Sequence, residues 1–147
     1  MIRNFDHVTV VVRDIDKAKA FFMLLGLEEV ISKVIEGEKF DAFMGLKDIK
    51  AEHMTLVLPG ASPRMEVQLL KYHRPEIKPD PDIVRLDRLG FNHVCFAVDD
   101  IEAEVARLRA AGVEILNEIL DFHSRKLVFI RGPEGITLEL AELNDPN

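Results

Sequence analysis

The chain has 147 residues, a mass of 16.7 kDa and a formal net charge of −7. That length suits one domain, and 48% hydrophobic with 31% charged residues excludes disordered, collagen-like and low-complexity classes. Net acidity argues against nucleic acid and against an anionic membrane as partners, since both require clustered Lys and Arg.

Cys95 stands alone in the sequence, so neither an internal disulfide nor a Cys-rich metal site is available, and a reducing cytoplasm is the expected location. The first twelve residues carry Arg3, Asp6 and His7 and lack the apolar core of a signal peptide. No apolar run approaches the roughly 20 residues of a membrane-spanning helix.

The pattern from the start of the chain predicts a buried strand over 7–12, β-branched and apolar apart from His7. Asp14 offers a helix N-cap, with Ile15, Ala18, Phe22 and Leu25 on one face and Gly26 as the stop. Strand-like segments follow at 28–35, 39–45, 54–58 and 65–70, with Pro59 and Gly60 as a tight connection. Residues 72–87 carry Pro75, Pro79 and Pro81 and read as a linker, with a short helical turn near 83–86.

The segment beginning at Phe91 then repeats the start of the chain. FNHVCFAVDDIEAEVARLRAAGVEIL aligns without a gap to FDHVTVVVRDIDKAKAFFMLLGLEEV from Phe5, 86 residues earlier. His93 falls on His7, Asp100 on Asp14, Ile101 on Ile15 and Gly112 on Gly26. Asp99 or Asp100 caps a helix whose face is Ile101, Val105, Leu108 and Ala111. Strands are expected at 113–120, 127–131 and 136–140, with Pro133-Glu134-Gly135 as the last turn. The expected organisation is therefore one domain over 1–147, made of a first strand–helix–three-strand module at 4–71, a linker at 72–88 and a second module at 89–143.

His7 and His93 become symmetry mates in such a pair. In the last strands, Gln68 within Val67-Gln68-Leu69 corresponds to Glu139 within Leu138-Glu139-Leu140. Period-2 alternation sends the aliphatic flanks to the opposite face, and a polar residue there needs a partner. Two histidines, a carboxylate and an amide together suit a divalent metal such as zinc, iron(II), cobalt(II), nickel(II) or manganese(II).

These segments, with GPEGITLELAE at the end, resemble the vicinal oxygen chelate superfamily of glyoxalase I, methylmalonyl-CoA epimerase, extradiol dioxygenases and the fosfomycin- and bleomycin-resistance proteins. The resemblance implies an α+β fold of two tandem βαβββ modules forming an open, barrel-like cleft. It implies His7, Gln68, His93 and Glu139 as metal ligands. It also implies a small-molecule substrate and a homodimer. Gln68 stands where glyoxalase I has a Glu, so the ligand set is more similar to that of methylmalonyl-CoA epimerase. The implied activity is an isomerase, epimerase or lyase that stabilises the enolate of a small carbonyl or thioester substrate on the metal. Glu139 and Glu66, the latter on the same face as Gln68, are the candidate catalytic carboxylates; His53, Thr55 and Phe129 are candidate substrate contacts, and the segment 40–44 is a candidate lining of the cleft.

Two alternatives follow from the same resemblance. His7, His93 and Glu139 alone form a two-histidine, one-carboxylate set like that of iron(II) extradiol dioxygenases, although Phe129 stands where those enzymes carry a tyrosine. A protein that holds an antibiotic or metabolite without turnover is the other. The remaining candidates read as structural: His73 and His123 at the surface, Cys95 as a small buried hydrophobe, and Glu102, Glu104, Arg107 and Arg109 as a solvated helix face. Arg64, Arg125, Lys126 and Arg131 read as surface charges.

Overall fold

In a computed structural model of the chain, residues 1–143 are described, and they divide into two compact units that meet between Pro79 and Asp80. The first unit runs β1 (His7–Val11), α1 (Ile15–Leu24), β2 (Glu28–Glu36), α2 (Glu38–Met44), β3 (Lys50–Val57) and β4 (Glu66–Arg74). The second runs β5 (His93–Ala97), α3 (Ile101–Ala110), β6 (Leu120–Phe122), β7 (Arg125–Arg131) and β8 (Thr137–Leu143), with a 3-10 turn at Pro133–Gly135. Each unit holds a four-stranded mixed sheet, in the orders β1-β4-β3-β2 and β5-β8-β7-β6. The first and last strands of each unit pair in parallel and the others are antiparallel. This is an α+β architecture of two βαβββ repeats, each sheet open at its edges.

The two repeats fold by the same local rules. Asp14 accepts the Lys17 amide at 3.0 Å and Asp100 accepts the Ala103 amide at 3.0 Å, so each helix begins on a carboxylate cap. Each helix ends where its glycine turns left-handed, Gly26 at φ +96° and Gly112 at φ +90°. The next residue then donates back to the helix, Leu27 to Phe22 at 3.1 Å and Val113 to Leu108 at 3.0 Å. Leu27 and Val113 are buried by this return, whereas Leu25 is half-buried and Ala111 is exposed. The buried face of the second helix therefore stops at Leu108, and Val113 rather than Ala111 completes it.

Alternation in the sheets separates two faces. Val67 and Leu69 of β4, with Met54 and Leu56 of β3, point to the core under α1, where Ile15, Ala18 and Phe22 are buried. Leu138 and Leu140 of β8, with Val128 and Ile130 of β7, do the same in the second unit against Ile101, Val105 and Leu108. The residues between them go to the opposite face, as the period of two requires.

Three local expectations change. The segment 39–45 falls mostly in a helix, α2 (Glu38–Met44), instead of a strand. Gly37 at φ +104° and Gly45 at φ +66° bracket it, and the Asp41 carboxylate accepts the amides of Asp48 and Ile49 at 3.1 and 2.8 Å, anchoring the chain beyond it. The segment 113–120 is mostly irregular. It makes single hydrogen bonds to β7, Arg131 N to Glu114 O at 3.0 Å and Leu116 N to Phe129 O at 2.9 Å. The next donor, Phe129 N, is then taken by the Asn117 side chain at 3.0 Å, so the ladder ends there and regular pairing resumes at β6. Finally, β4 continues through Tyr72 to Arg74, occupying the start of the expected linker. The turn beyond it lies at 81–84, with Arg85 N bonded to Asp82 O at 2.9 Å.

Phe22 is fully buried at the centre of the first unit. Phe22→Ala should cost about 3–5 kcal/mol by urea denaturation through loss of that burial and the cavity left behind. Asp14→Ala and Asp100→Ala should each cost about 1 kcal/mol through loss of the cap.

Candidate metal centre

In the first unit the parallel register sets His7 opposite Glu66 and Thr9 opposite Gln68, and the antiparallel register sets Thr55 opposite Gln68. His7, Thr9, His53, Thr55, Glu66 and Gln68 therefore share one sheet face, the one turned away from α1. A chain of hydrogen bonds links four of them. His53 Nε2 is 3.0 Å from Gln68 Oε1, Thr9 Oγ1 donates to the same oxygen at 3.4 Å, and Gln68 Nε2 donates to Glu66 Oε1 at 2.9 Å. Arg64 Nη2 holds the other carboxylate oxygen of Glu66 at 2.8 Å. The amide of Gln68 is thus oriented, its nitrogen toward Glu66 and its oxygen toward His53. His7 keeps its Nδ1 against Asp6 Oδ2 at 2.7 Å.

The second unit repeats the register, His93 opposite Thr137 and Cys95 opposite Glu139. His93 Nε2 lies 3.7 Å from Glu139 Oε2, too far for a hydrogen bond. His93 Nδ1 is 2.7 Å from Asn92 Oδ1. Phe129, register partner of Glu139, packs edge-on against the His93 imidazole with centroids 5.0 Å apart. The Glu139 side chain is only 14% exposed. A neutral His93 that gives its Nδ1 proton to Asn92 turns a lone pair toward a largely buried carboxylate. A positive charge, a proton on Nε2 or a metal ion, is what that pair of atoms lacks. Imidazole nitrogen and carboxylate oxygen are donors for borderline divalent metals, so the residues present fit such an ion.

The sequence-predicted residues therefore fall into two clusters, His7 with Gln68, Glu66, His53 and Thr55, and His93 with Glu139 and Phe129. Thr55 is 4% exposed, which leaves its hydroxyl little access to a substrate. Phe43 of α2 is 82% exposed, and none of α2 is buried. His73 bonds Glu52 at 3.1 Å and His123 packs against Phe122, consistent with surface roles. Among the described residues, Asp100, Glu102 and Glu142 form a close acidic group, but each carboxylate already has work in the fold. Asp100 caps α3, Glu142 accepts the Ile101 amide at 3.2 Å, and Lys126 pairs with both glutamates. Asp6 and Asn92, one residue before each histidine, escaped the sequence reading; their signal was a polar oxygen at the same place in both repeats.

Cys95 is not a core hydrophobe. Its place in β5 puts it on the donor face beside Glu139, and the residue is exposed. Desolvation of the thiol, its hydrogen bond to Glu139 and the charge of that carboxylate push its pKa up to about 12, against a smaller opposing effect of Arg125. The thiol therefore stays protonated at neutral and mildly alkaline pH. At pH 8 iodoacetamide should alkylate Cys95 at least ~100-fold more slowly than a free cysteine thiol, which is substantially ionised there. Glu139→Gln should raise the rate; a wild-type rate equal to that of free cysteine would contradict this environment.

Comparison with known proteins agrees with the fold. The family model described as the glyoxalase/bleomycin resistance protein/dioxygenase superfamily matches residues 4–140. A glyoxalase family protein from Bacillus cereus is 31% identical, with a TM-score of 0.88 over 99% of this chain and 97% of that one. A lactoylglutathione lyase from Pseudomonas putida is 28% identical over 152 aligned positions, covering 94% of this chain and 84% of that protein. At greater distance, a fosfomycin resistance protein, FosX, from Listeria monocytogenes, whose crystals contain Mn(II) and sulfate, shares the fold at 19% identity and a TM-score of 0.61, over 97% of this chain and 93% of that one. With its duplicated βαβββ units and a model match over nearly its whole length, the chain belongs to the glyoxalase/bleomycin resistance protein/dioxygenase superfamily.

Proposed function

We propose that this chain is a metal-dependent enzyme of glyoxalase or epimerase type, with His7, Gln68, His93 and Glu139 as its metal ligands. The observation that carries the reading is the repeated register. In each unit a histidine opens the first strand, and an oxygen donor lies on the parallel neighbour, two residues beyond that histidine's register partner. The 3.7 Å approach of His93 Nε2 to Glu139 Oε2 supports it. Bound there, the metal supplies Lewis acidity toward a substrate carbonyl.

The chain's own residues divide the remaining work. Glu66 is the candidate base for the proton next to that carbonyl, because it shares the sheet face of His7 and Gln68, with Arg64 and Gln68 orienting its two oxygens. Glu139 is the second carboxylate able to move a proton. His53, anchored on Gln68, is the candidate substrate contact in the first unit, and Phe129 forms an apolar wall beside His93 in the second. Phe129 has no hydroxyl to donate, which weighs against extradiol oxygenation. A small carbonyl or thioester compound is the proposed partner, with a second copy of the chain as the proposed assembly. The lone free cysteine suits a reducing cytoplasm. Among the described residues no helix is long and apolar enough to cross a membrane.

Metal analysis after reconstitution with zinc, cobalt, nickel, manganese or iron(II) should find about one ion per chain. His93→Ala and Glu139→Ala should each weaken binding by about 100-fold or more. In deuterated water, the loaded protein should exchange the proton α to the carbonyl of a hemithioacetal or thioester substrate, and Glu66→Gln should slow that exchange by at least ~100-fold. A wild-type protein that takes up none of the five metals would end this reading.

A further inference from the structure

Each of the two histidines is preceded by a side chain that presents an oxygen to its ring. Asp6 Oδ2 lies 2.7 Å from His7 Nδ1, and Asn92 Oδ1 lies 2.7 Å from His93 Nδ1. An ionised carboxylate has no proton to give, so in the first pair His7 Nδ1 is the donor. In the second pair the amide is oriented by an independent contact: Asn92 Nδ2 donates to the Leu86 carbonyl at 2.8 Å, which leaves Oδ1 for the ring. His93 Nδ1 is again the donor. A neutral imidazole with its proton on Nδ1 carries its lone pair on Nε2. Two chemically different side chains, 86 residues apart, thus hold two histidines in the same tautomer.

We propose that Asp6 and Asn92 are positioning residues, each fixing the tautomer and ring orientation of the histidine that follows so that its Nε2 is free to bind a divalent metal. This rests on the metal reading given above. Metal-binding histidines as a rule donate their second ring N–H to a carboxylate, carbonyl or water, and removing that acceptor typically weakens metal binding by about 10–100-fold. The two acceptors act differently. Asp6 adds a negative charge that strengthens His7 as a donor, and because its two oxygens are equivalent acceptors no further contact is needed to orient them. Asn92 adds no charge and needs its brace on Leu86, because a flipped amide would present a second donor to His93 and reverse the tautomer.

Two measurements on the same proteins test this. Long-range ¹H–¹⁵N spectra of the metal-free protein should show His7 and His93 with Nδ1 protonated and Nε2 unprotonated. Asp6→Ala should shift His7 alone, and Asn92→Ala His93 alone, toward mixed tautomers. Zinc titration against a competing chelator should show each Ala variant about 10–100-fold weaker than wild type, whereas Asp6→Glu, which keeps a carboxylate with two equivalent acceptor oxygens, should preserve the His7 tautomer and recover most of the affinity. A residue that only supported the fold would lower thermal stability without moving a single histidine's ¹⁵N shifts. Unchanged tautomers in both Ala variants overturn the proposal. So do altered tautomers accompanied by wild-type zinc affinity. If wild type binds no metal, the metal reading fails and the proposal with it, even where the tautomer shifts are as expected. Wild-type binding with unaffected Ala variants overturns the positioning role alone.

Discussion

The structure depends on one constraint: in β4 and β8 every second residue must face away from the helix. Val67 and Leu69, or Leu138 and Leu140, are held in the core by α1 or α3. The residue between each pair, Gln68 or Glu139, is therefore delivered to the opposite face without any choice of its own. The parallel pairing of β1 with β4 and of β5 with β8 then decides which residues accompany it. A one-residue slip in either register would carry the donors into the apolar layer and the aliphatics out to water. The core is thus what aims the polar side chains.

On that shared scaffold the two units have diverged in chemistry. Where the first has Glu66 clamped by Arg64, the second has Thr137, whose hydroxyl accepts from Arg131 at 3.0 Å. Where the first has Thr9 bonded to an amide oxygen, the second has Cys95 beside a carboxylate. Gln68 is neutral and its hydrogen bonds are satisfied on both ends, whereas Glu139 is a charge facing a histidine across 3.7 Å. The second unit therefore carries the greater need for a cation. The first carries the better-held carboxylate.

The repeat made most of the fold legible before any coordinates. Asp14 and Asp100 cap their helices as their spacing implied, because an N-cap bond is local and spans three residues. Gly26 and Gly112 end them because the left-handed turn is costly for other residues. What failed was what lacked such local rules. The segment 39–45 carries Phe40, Phe43 and Met44, which a strand could also bury, but it folds as a helix between Gly37 and Gly45, with Asp41 anchoring the chain that follows. Residues 113–120 have strand composition, yet the Asn117 side chain takes a main-chain position on β7 and breaks the ladder. Cys95 was misplaced because Val94 and Phe96 suggested a buried run, while period-2 pairing puts it on the donor face with His93.

By itself the sequence determined the duplication, the caps and stops and the apolar faces of the helices, and it set His7 and His93, and Gln68 and Glu139, at matching places of the repeat. All of these rest on periodicity and on short-range hydrogen bonding, which a chain carries in its order of residues. Tertiary structure alone decided which atoms of those side chains are free. Gln68 is oriented by His53 and Glu66 on neighbouring positions of two strands, and Glu66 is fixed by Arg64. Asn92 can act as an acceptor for His93 because the Leu86 carbonyl has folded back to take its amide protons. Tautomer and amide orientation depend on partners brought within about 3 Å, a range at which position along the chain carries no information.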